Sequence, residues 1–229
     1  MKKILSYFGD LSQFERRLWI FSVIAVVLSS ALSGFGDPMS TVASLIGVTA
    51  LIFVAKGYVI GQVLTIVFAL FYGFISFFFR YYGEMITYIG MSAPMAAVAA
   101  IEWLKNPYKG TKEVKIKKMT VGTLILLFSS CALVTFVFYS ILKALGNASL
   151  TVSTLSVTTS YLASALTFLR SPYYALAYAA NDLVLIVLWI IASTTDFSCI
   201  PMTVCFVMFF INDMYGFFNW KRMEKKQSL

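Results

Sequence analysis

The sequence contains no histidine, and only 12% of its 229 residues are charged, whereas 60% are hydrophobic. A soluble domain averages about 25% charged and about 45–50% apolar residues, so this chain lacks the polar surface that would dissolve it. It also lacks a GxxxxGK[ST] phosphate loop, a CxxC pair and any linker rich in Ser, Gly or Pro. These absences exclude a soluble fold and argue against an ATP-driven machine, a zinc enzyme and a multidomain receptor.

The cysteines are odd in number and lie in apolar runs, which predicts packing residues rather than disulfides: Cys131, Cys199 and Cys205.

Long apolar runs take up most of the chain. A helix that crosses a bilayer needs about 20 mostly apolar residues, because every backbone amide must find its partner within the helix. Runs of this kind lie at 18–36, 39–55, 58–79, 82–104, 120–142, 150–169, 172–194 and 199–219. They do not alternate as the strands of a barrel would. The sequence therefore predicts an all-α membrane protein with eight transmembrane helices.

The positions of lysine and arginine predict the orientation of these helices, since positive charge collects on the cytoplasmic side. If the N-terminus is cytoplasmic, 16 of the 18 lysines and arginines fall on the inner side, and only Arg80 and Lys143 lie outside. An even number of spans then places both termini in the cytoplasm. The lysines of residues 105–118 belong to an inner loop in this topology, so no nucleic-acid partner is expected.

The segment before the first apolar run predicts a helix lying on the inner membrane surface over residues 1–17. Its apolar side chains recur at spacings of three: Leu5, Phe8, Leu11 and Phe14. A signal peptide does not fit, because the following run at 18–36 is longer than the apolar core of such a peptide. The tail at 221–229 is expected to be cytoplasmic.

Residues 39–104 and 150–220 show a faint internal repeat. Each segment ends in an aromatic-rich helix that closes on tryptophan and lysine, at Trp103 and Trp220. With residues 105–149 as a cytoplasmic loop and connector helix, the sequence predicts a 3+1+3 core preceded by one extra helix. The connector adds one crossing, so the two repeats run parallel, which is one of the known plans of transporters.

Polar and aromatic residues share faces on four of the predicted helices. An Asp at the centre of a membrane helix costs about 2.5–3.5 kcal/mol on insertion scales, so these faces should point into the bundle. Rings that stack and amides that donate and accept hydrogen bonds suit a flat heterocycle that carries hydroxyl groups. The candidate substrate-binding residues are Gln62, Thr65, Tyr72, Tyr88, Met91, Tyr178, Asn181, Asp182, Trp189, Asn212 and Tyr215.

Structural roles are the alternative for several of these residues. Asn and Asp residues in membrane helices also form hydrogen bonds that tie helices together, and this is the alternative role for Asn181, Asp182, Asn212 and Asp213. Tryptophans near helix ends also form interfacial belts, which is an alternative for Trp189 and the expectation for Trp19, Trp103 and Trp220. Glu84 is expected near the outer surface, either solvated or paired with Arg80.

Four segments carry a resemblance to a known family: residues 178–189 (YAANDLVLIVLW), 211–221 (INDMYGFFNWK), 82–85 (YGEM) and 103–107 (WLKNP). They resemble the PnuC-type vitamin transporters. The resemblance implies a seven-helix core similar to the SWEET sugar carriers, a homotrimer, and a place in the bacterial inner membrane. It also implies uptake of nicotinamide riboside down its gradient, with a cytoplasmic kinase trapping the product as the nucleotide. Close relatives carry thiamine, riboflavin or deoxynucleosides, which remain alternatives.

The residues themselves agree with such a ligand. The pyridinium charge of nicotinamide riboside is attracted by aromatic faces and could be balanced by Asp182. A phosphorylated substrate is not expected, because the apolar runs supply no basic partner near the site. A non-transporting membrane scaffold and an intramembrane enzyme are the alternatives from other classes. An enzyme would need a nucleophile and base or metal ligands at membrane depth, and without histidine only isolated carboxylates remain, so no metal, cofactor or catalytic residue is predicted.

Overall fold

A computed structural model describes residues 2–35, 37–147 and 150–228, with the backbone alone for residues 2–5. Within these residues the chain forms nine helices and no β-strand. The helices are α1 (Lys2–Gly9), α2 (Gln13–Leu32), α3 (Pro38–Ala55), α4 (Val59–Phe78), α5 (Tyr82–Lys105), α6 (Val121–Ala144), α7 (Leu150–Phe168), α8 (Tyr174–Thr195) and α9 (Ile200–Gln227). The predicted end of the first span at residue 36 and the end of the connector segment at residue 149 lie outside the described residues.

Six of these helices are long and apolar enough to cross a membrane, namely α3, α4, α5, α6, α8 and α9 with its preceding 3-10 turn. The other two predicted spans are of similar length but more polar. The first two turns of α2 carry Glu15, Arg16 and Arg17, and α7 is rich in serine and threonine. The prediction of an all-helical membrane protein with several spans is confirmed, whereas the count of eight remains a prediction.

Six helices pack in a closed ring. Helix α3 packs on α4, α4 on α5, α5 on α7, α7 on α8, α8 on α9, and α9 returns to α3. Helix α2 lies outside this ring against α3 and α9, and α6 lies outside it against α7. Only 11% of the apolar stretch of α6 is buried, so most of that helix faces the surroundings of the bundle. Side chains from five or six helices can therefore meet at the centre of the ring.

The N-terminal segment folds as α1 and the first turn of α2, rather than as one helix over residues 1–17. The break is fixed by a capping box: Ser12 Oγ accepts from the Glu15 amide at 3.3 Å, and the Glu15 carboxylate accepts from the Ser12 amide at 2.6 Å. Phe8 of α1 packs its ring against aromatic residues of α2 and α3. The side chain of Leu5, which contributed to the predicted pattern, lies outside the described side chains.

The expectation that Trp103 and Trp220 form an interfacial belt is wrong. Both indoles are buried, and their ring centroids lie 5.4 Å apart. Trp103 Nε1 donates to the Thr167 carbonyl at 3.0 Å, and Trp220 Nε1 donates to the Val54 carbonyl at 3.0 Å. Each indole thus finds its polar partner at the end of a neighbouring helix, so it needs no contact with water. The three cysteines are free and buried, as predicted.

Candidate functional site

A cavity lies inside the helix ring, and the space within it that is open to a water-sized probe is about 40 Å³. Its walls come from α3, α4, α5, α8 and α9. The lining residues are Gly47, Ala50, Leu51, Val54, Gln62, Thr65, Phe68, Ala69, Tyr88, Ser92, Tyr178, Asp182, Phe209 and Asp213.

Helical spacing explains how the walls acquire their polar groups. On α8, Tyr178 and Asp182 stand four residues apart and so share a face. On α9, Phe209 and Asp213 repeat the same order, an aromatic residue followed four positions later by an aspartate. The two helices therefore present matched aromatic and carboxyl groups to one cavity.

Helix α5 reaches the cavity through a π-helical stretch, Tyr88–Ser92, set between two α-helical segments. Such stretches are rare and occur frequently at functional sites, because they re-aim side chains within an otherwise regular helix. Both end residues of this one, Tyr88 and Ser92, line the cavity. The local distortion of α5 thus supplies one ring and one hydroxyl group to the site.

Gly47 permits the aromatic wall on the opposite side. A Cβ atom at this position would lie 2.3 Å from Phe209 Cζ and 3.0 Å from Phe68 Cδ2. The rings of Phe68 and Phe209 therefore pack with their centroids 5.0 Å apart and lie directly against the backbone of α3. A larger residue would push one of these rings into the cavity.

The cavity carries two neighbouring carboxyl groups, Asp182 and Asp213, which are 2% and 3% exposed and close enough to interact directly. Apart from that neighbour, no described residue offers a hydrogen bond to Asp182 Oδ2. No lysine or arginine stands among the described lining residues. An entering cation would supply the counter-charge that an ionised carboxylate needs away from water, whereas an anion would not, so the site favours a cation.

Five of the predicted site residues line this cavity together: Gln62, Thr65, Tyr88, Tyr178 and Asp182. The amide of Gln62 makes no hydrogen bond to another described residue and is free for a ligand. Tyr178 OH lies 3.2 Å from Ser164 Oγ, which fixes the ring at the edge of the site. The structure thus combines one amide, two rings, one hydroxyl and one carboxyl group from the predicted set.

Tyr72, Trp189 and Met91 are buried but lie outside the cavity lining. Trp189 Nε1 donates to Tyr72 OH at 2.8 Å, which ties α8 to α4. The Trp189 ring also packs edge-on against Tyr81, with centroids 5.6 Å apart. Trp189 and Tyr72 thus belong to the aromatic core beside the cavity. Trp189 is buried and is not part of an interfacial belt, which was its alternative role.

Asn181, Asn212 and Tyr215 face neighbouring helices instead of the cavity. Asn181 Oδ1 accepts from three hydroxyl groups of α7, at 3.3 Å from Ser156, 2.9 Å from Thr159 and 3.0 Å from Ser160. Asn212 Nδ2 donates to Ser22 Oγ of α2 at 3.0 Å. Tyr215 OH donates to Glu15 Oε1 at 2.9 Å. These contacts match the structural alternative, in which polar residues tie helices together.

The expectation that Glu84 is solvated or paired with Arg80 is wrong. Glu84 is 1% exposed and accepts a hydrogen bond from Ser156 Oγ at 3.2 Å. The neighbouring Gly83 lets α5 approach α7 closely, since a Cβ there would lie 3.2 Å from Ser153 Cβ. Burial of Glu84 therefore follows from the close packing of two helices, which is a long-range contact.

The sequence analysis considered Asp213 only as a residue that ties helices together and did not place it in the site, and it missed Ser92, Phe68 and Phe209. The equal spacing of Tyr178 with Asp182 and of Phe209 with Asp213 is the signal that could have found the second carboxyl group. Ser92 stands four residues after Tyr88, so the same spacing could have found it, whereas the π-helical stretch that carries both residues has no signal in the sequence pattern.

A ring of helices closed around a mainly apolar cavity that carries several polar groups is an arrangement found in membrane transporters. The chain belongs to the nicotinamide mononucleotide transporter family, whose family model matches residues 37–222. Membership confirms that the protein is a transporter and not an enzyme.

Individual relatives agree with this assignment. The chain is 26% identical to the nicotinamide riboside transporter PnuC of Neisseria mucosa, over 96% of this chain and 86% of that protein. It is 23% identical to the nicotinamide riboside transporter PnuC of Haemophilus influenzae, over 82% of this chain and 81% of that protein. A crystal structure of the vitamin B3 transporter PnuC matches with a TM-score of 0.83 at 25% identity, covering 96% of both chains. The resemblance stated from the sequence is thereby confirmed.

Two variants distinguish a residue that joins two helices from a residue whose side chain is free to bind a ligand. Asn181→Ala should lower the free energy of unfolding by about 1–3 kcal/mol, because the hydroxyl groups of the buried Ser156 and Ser160 and of the partly buried Thr159 lose a shared acceptor. Gln62→Ala should change stability much less, because its amide has no described protein partner to lose. Melting temperatures of the purified variants without substrate measure both effects. An equal loss in the two variants would contradict this division of roles.

Proposed function

We propose that the chain takes up nicotinamide riboside across the bacterial inner membrane by facilitated diffusion, and that a cytoplasmic kinase traps the product. The two curated relatives are named for the riboside, whereas the family is named for the mononucleotide, which differs by one phosphate. The charge of the cavity favours the riboside. Asp182 and Asp213 would repel a phosphate, and no described lining residue is basic. This is the observation that carries the proposal.

The lining residues suit the parts of this substrate. The pyridinium ring of nicotinamide riboside carries a positive charge, and rings such as Tyr88, Tyr178 and Phe209 attract a desolvated cation by about 0.5–2 kcal/mol each. One carboxyl group, that of Asp182, balances the charge. Gln62 offers a donor and an acceptor for the carboxamide or the ribose hydroxyls. The site therefore binds through charge and stacking at one end and through hydrogen bonds at the other.

The order of helices in the ring supports a core of two three-helix repeats, similar to the SWEET carriers. The first repeat is α3–α5 and the second is α7–α9, with α6 as connector and α2 as the extra N-terminal helix. The first helix of each repeat packs on the last helix of the other, as α3 does on α9 and α7 on α5. This reciprocal packing is what a pseudo-two-fold axis along the membrane normal would produce. We further propose eight spans in all, both termini in the cytoplasm, and a homotrimer.

Charge selectivity tests the proposed substrate. Asp182→Asn should weaken binding of nicotinamide riboside by about 10- to 150-fold, since a hydrogen bond or contact with a charged group contributes about 1.5–3 kcal/mol. Binding of a neutral nucleoside should change much less. The exposed Asp196→Asn serves as the control, and calorimetry measures the affinities. An equal loss of affinity for the charged and the neutral ligand would show that Asp182 does not recognise the positive charge of the substrate.

Competition identifies the substrate among the alternatives. In a calorimetric displacement experiment nicotinamide riboside should bind, whereas nicotinamide mononucleotide should not displace it. Thiamine, riboflavin and deoxynucleosides are tested in parallel. Tighter binding of any of these would assign the protein to that substrate, and tight binding of the mononucleotide would contradict the argument from cavity charge.

Passive transport is expected because the sequence has no nucleotide-binding loop and no histidine. Purified protein in liposomes should equilibrate labelled nicotinamide riboside without ATP and then stop. A riboside kinase with ATP enclosed in the liposomes should produce accumulation. Accumulation driven by an imposed pH gradient alone would show proton coupling and refute facilitated diffusion.

Cysteine labelling tests the orientation. Single cysteines at Asp37, Gly146 and Asp196 should react with an impermeant reagent added outside the cell. A single cysteine at Gly110 should not react. The native cysteines are buried, which keeps the background low. Outside labelling at Gly110 would reverse the proposed topology.

A further inference from the structure

A second groove lies away from the central cavity, at the end of the bundle where most lysines collect. Three stretches of chain form it: residues 117–119, residues 171–173 at the turn between α7 and α8, and the last turns of α9. Its lining residues are Lys117, Lys118, Met119, Ser171, Pro172, Tyr173, Lys221, Glu224, Lys225 and Ser228. None of them takes part in the proposed transport site.

Hydrogen bonds between distant segments hold the walls of this groove in place. Lys117 donates its backbone amide to the Arg170 carbonyl at 3.2 Å. Gln227 accepts from the Ile116 amide at 2.8 Å and donates to the Val114 carbonyl at 3.1 Å. The loop after α5, the turn before α8 and the end of α9 are thus joined, so the lysines are held on a fixed frame.

The charge of the groove is strongly positive. Its one carboxylate, Glu224, already accepts from Lys221 Nζ at 2.6 Å. Lys117, Lys118 and Lys225 have no carboxylate partner among the described residues. Three lysines that line the groove therefore have no counter-charge among the described residues, which favours an anion.

Ser171 gives independent evidence for a ligand at the base of this groove. The residue is fully buried, and its Oγ has no hydrogen-bond partner within the described part of the chain. Its backbone groups are satisfied, since its amide donates to the Leu166 carbonyl and its carbonyl accepts from the Tyr174 amide. A buried hydroxyl without a partner is rare in native proteins and needs an explanation. A phosphate oxygen in the groove would provide the missing acceptor.

The apolar residues of the groove indicate where the phosphate comes from. Met119, Pro172 and Tyr173 lie beside the lysines, and Lys221 Nζ stands 5.1 Å from the Tyr173 ring centroid. The groove opens next to the start of α6, where Val121 and Ile125 are 74% and 64% exposed. Lysines and a tyrosine beside an exposed apolar helix are typical of the headgroup level of a membrane.

We propose that this groove binds the phosphate of an anionic phospholipid headgroup, with Lys117, Lys118 and Lys225 around the phosphate and Ser171 beneath it. The acyl chains would then run along the exposed face of α6. The proposal does not depend on which substrate the central cavity carries.

The test uses the full chain, purified in a neutral detergent. Phosphatidylglycerol titrated into the sample should raise the melting temperature at lower concentration than phosphatidylcholine does. The triple variant Lys117→Gln, Lys118→Gln, Lys225→Gln should weaken phosphatidylglycerol binding by about 100-fold, because each lysine near an anionic headgroup contributes about fivefold. The double variant Lys105→Gln, Lys109→Gln, at the same end of the bundle, is the matched control and should bind as the wild type does.

Ser171→Ala separates a binding role from a structural one. It should weaken phosphatidylglycerol binding while leaving the melting temperature of the lipid-free protein unchanged, because its hydroxyl has no described partner to lose. A lower lipid-free melting temperature would show that the hydroxyl is structural and would contradict its place in the site.

Three further outcomes would overturn the proposal. The first is equal binding of phosphatidylglycerol and phosphatidylcholine, and the second is phosphatidylglycerol binding that the triple lysine variant leaves unchanged. The third concerns the source of the phosphate. If sn-glycerol 3-phosphate alone stabilises the protein, and this effect disappears in the triple lysine variant, the site takes a soluble phosphate ester rather than a lipid.

Discussion

Two carboxyl groups buried side by side in an apolar bundle set the main physical constraint on this structure. Asp182 and Asp213 are each at most 3% exposed, and no basic residue stands among the described lining of their cavity. Ionised carboxylates in such surroundings are costly unless a counter-charge or a proton accompanies them. The closed helix ring, the aromatic walls and the glycine that admits Phe209 all serve to hold these groups around a space that a cation can enter.

Several other buried polar residues join neighbouring helices. Asn181 ties α8 to α7, Asn212 ties α9 to α2, and the Trp189 indole ties α8 to the Tyr72 hydroxyl of α4. Each tie satisfies a group that would otherwise be unpaired in an apolar interior. Adjacent positions on one helix, Asn181 and Asp182, thus have different tasks: one fixes the neighbouring helix, and the other faces the cavity.

The N-terminal end of α2 is fixed by charge at the edge of the bundle. Glu15 is 3% exposed and lies 3.0 Å from Lys56 Nζ at the end of α3. Burial alone would raise the pKa of Glu15, but hydrogen bonds from the Ser12 amide, Lys56 and Tyr215 outweigh it and lower that pKa from its usual value. The carboxylate therefore stays charged and joins α2 to both α3 and α9, the two ring helices against which it packs.

The sequence by itself determined that the chain lies in a membrane, that it is all-helical, and which family it belongs to. These rest on composition, on the length of apolar runs and on short motifs, which are local properties of the chain. Helical periodicity also placed Gln62, Thr65, Tyr88, Tyr178 and Asp182 on interior faces, and the structure brings these five to one cavity. The tertiary structure decided which other interior residues meet the cavity. Asn181 and Asp182 differ by about 100° around α8, so periodicity leaves both near the interior. Packing against α7 takes Asn181 away, and packing against α9 adds Asp213. Glu84 is buried for the same kind of reason, because Gly83 lets two helices approach that are far apart in sequence. Contacts of this range depend on side chains from several helices at once, and no pattern within a single helix contains them.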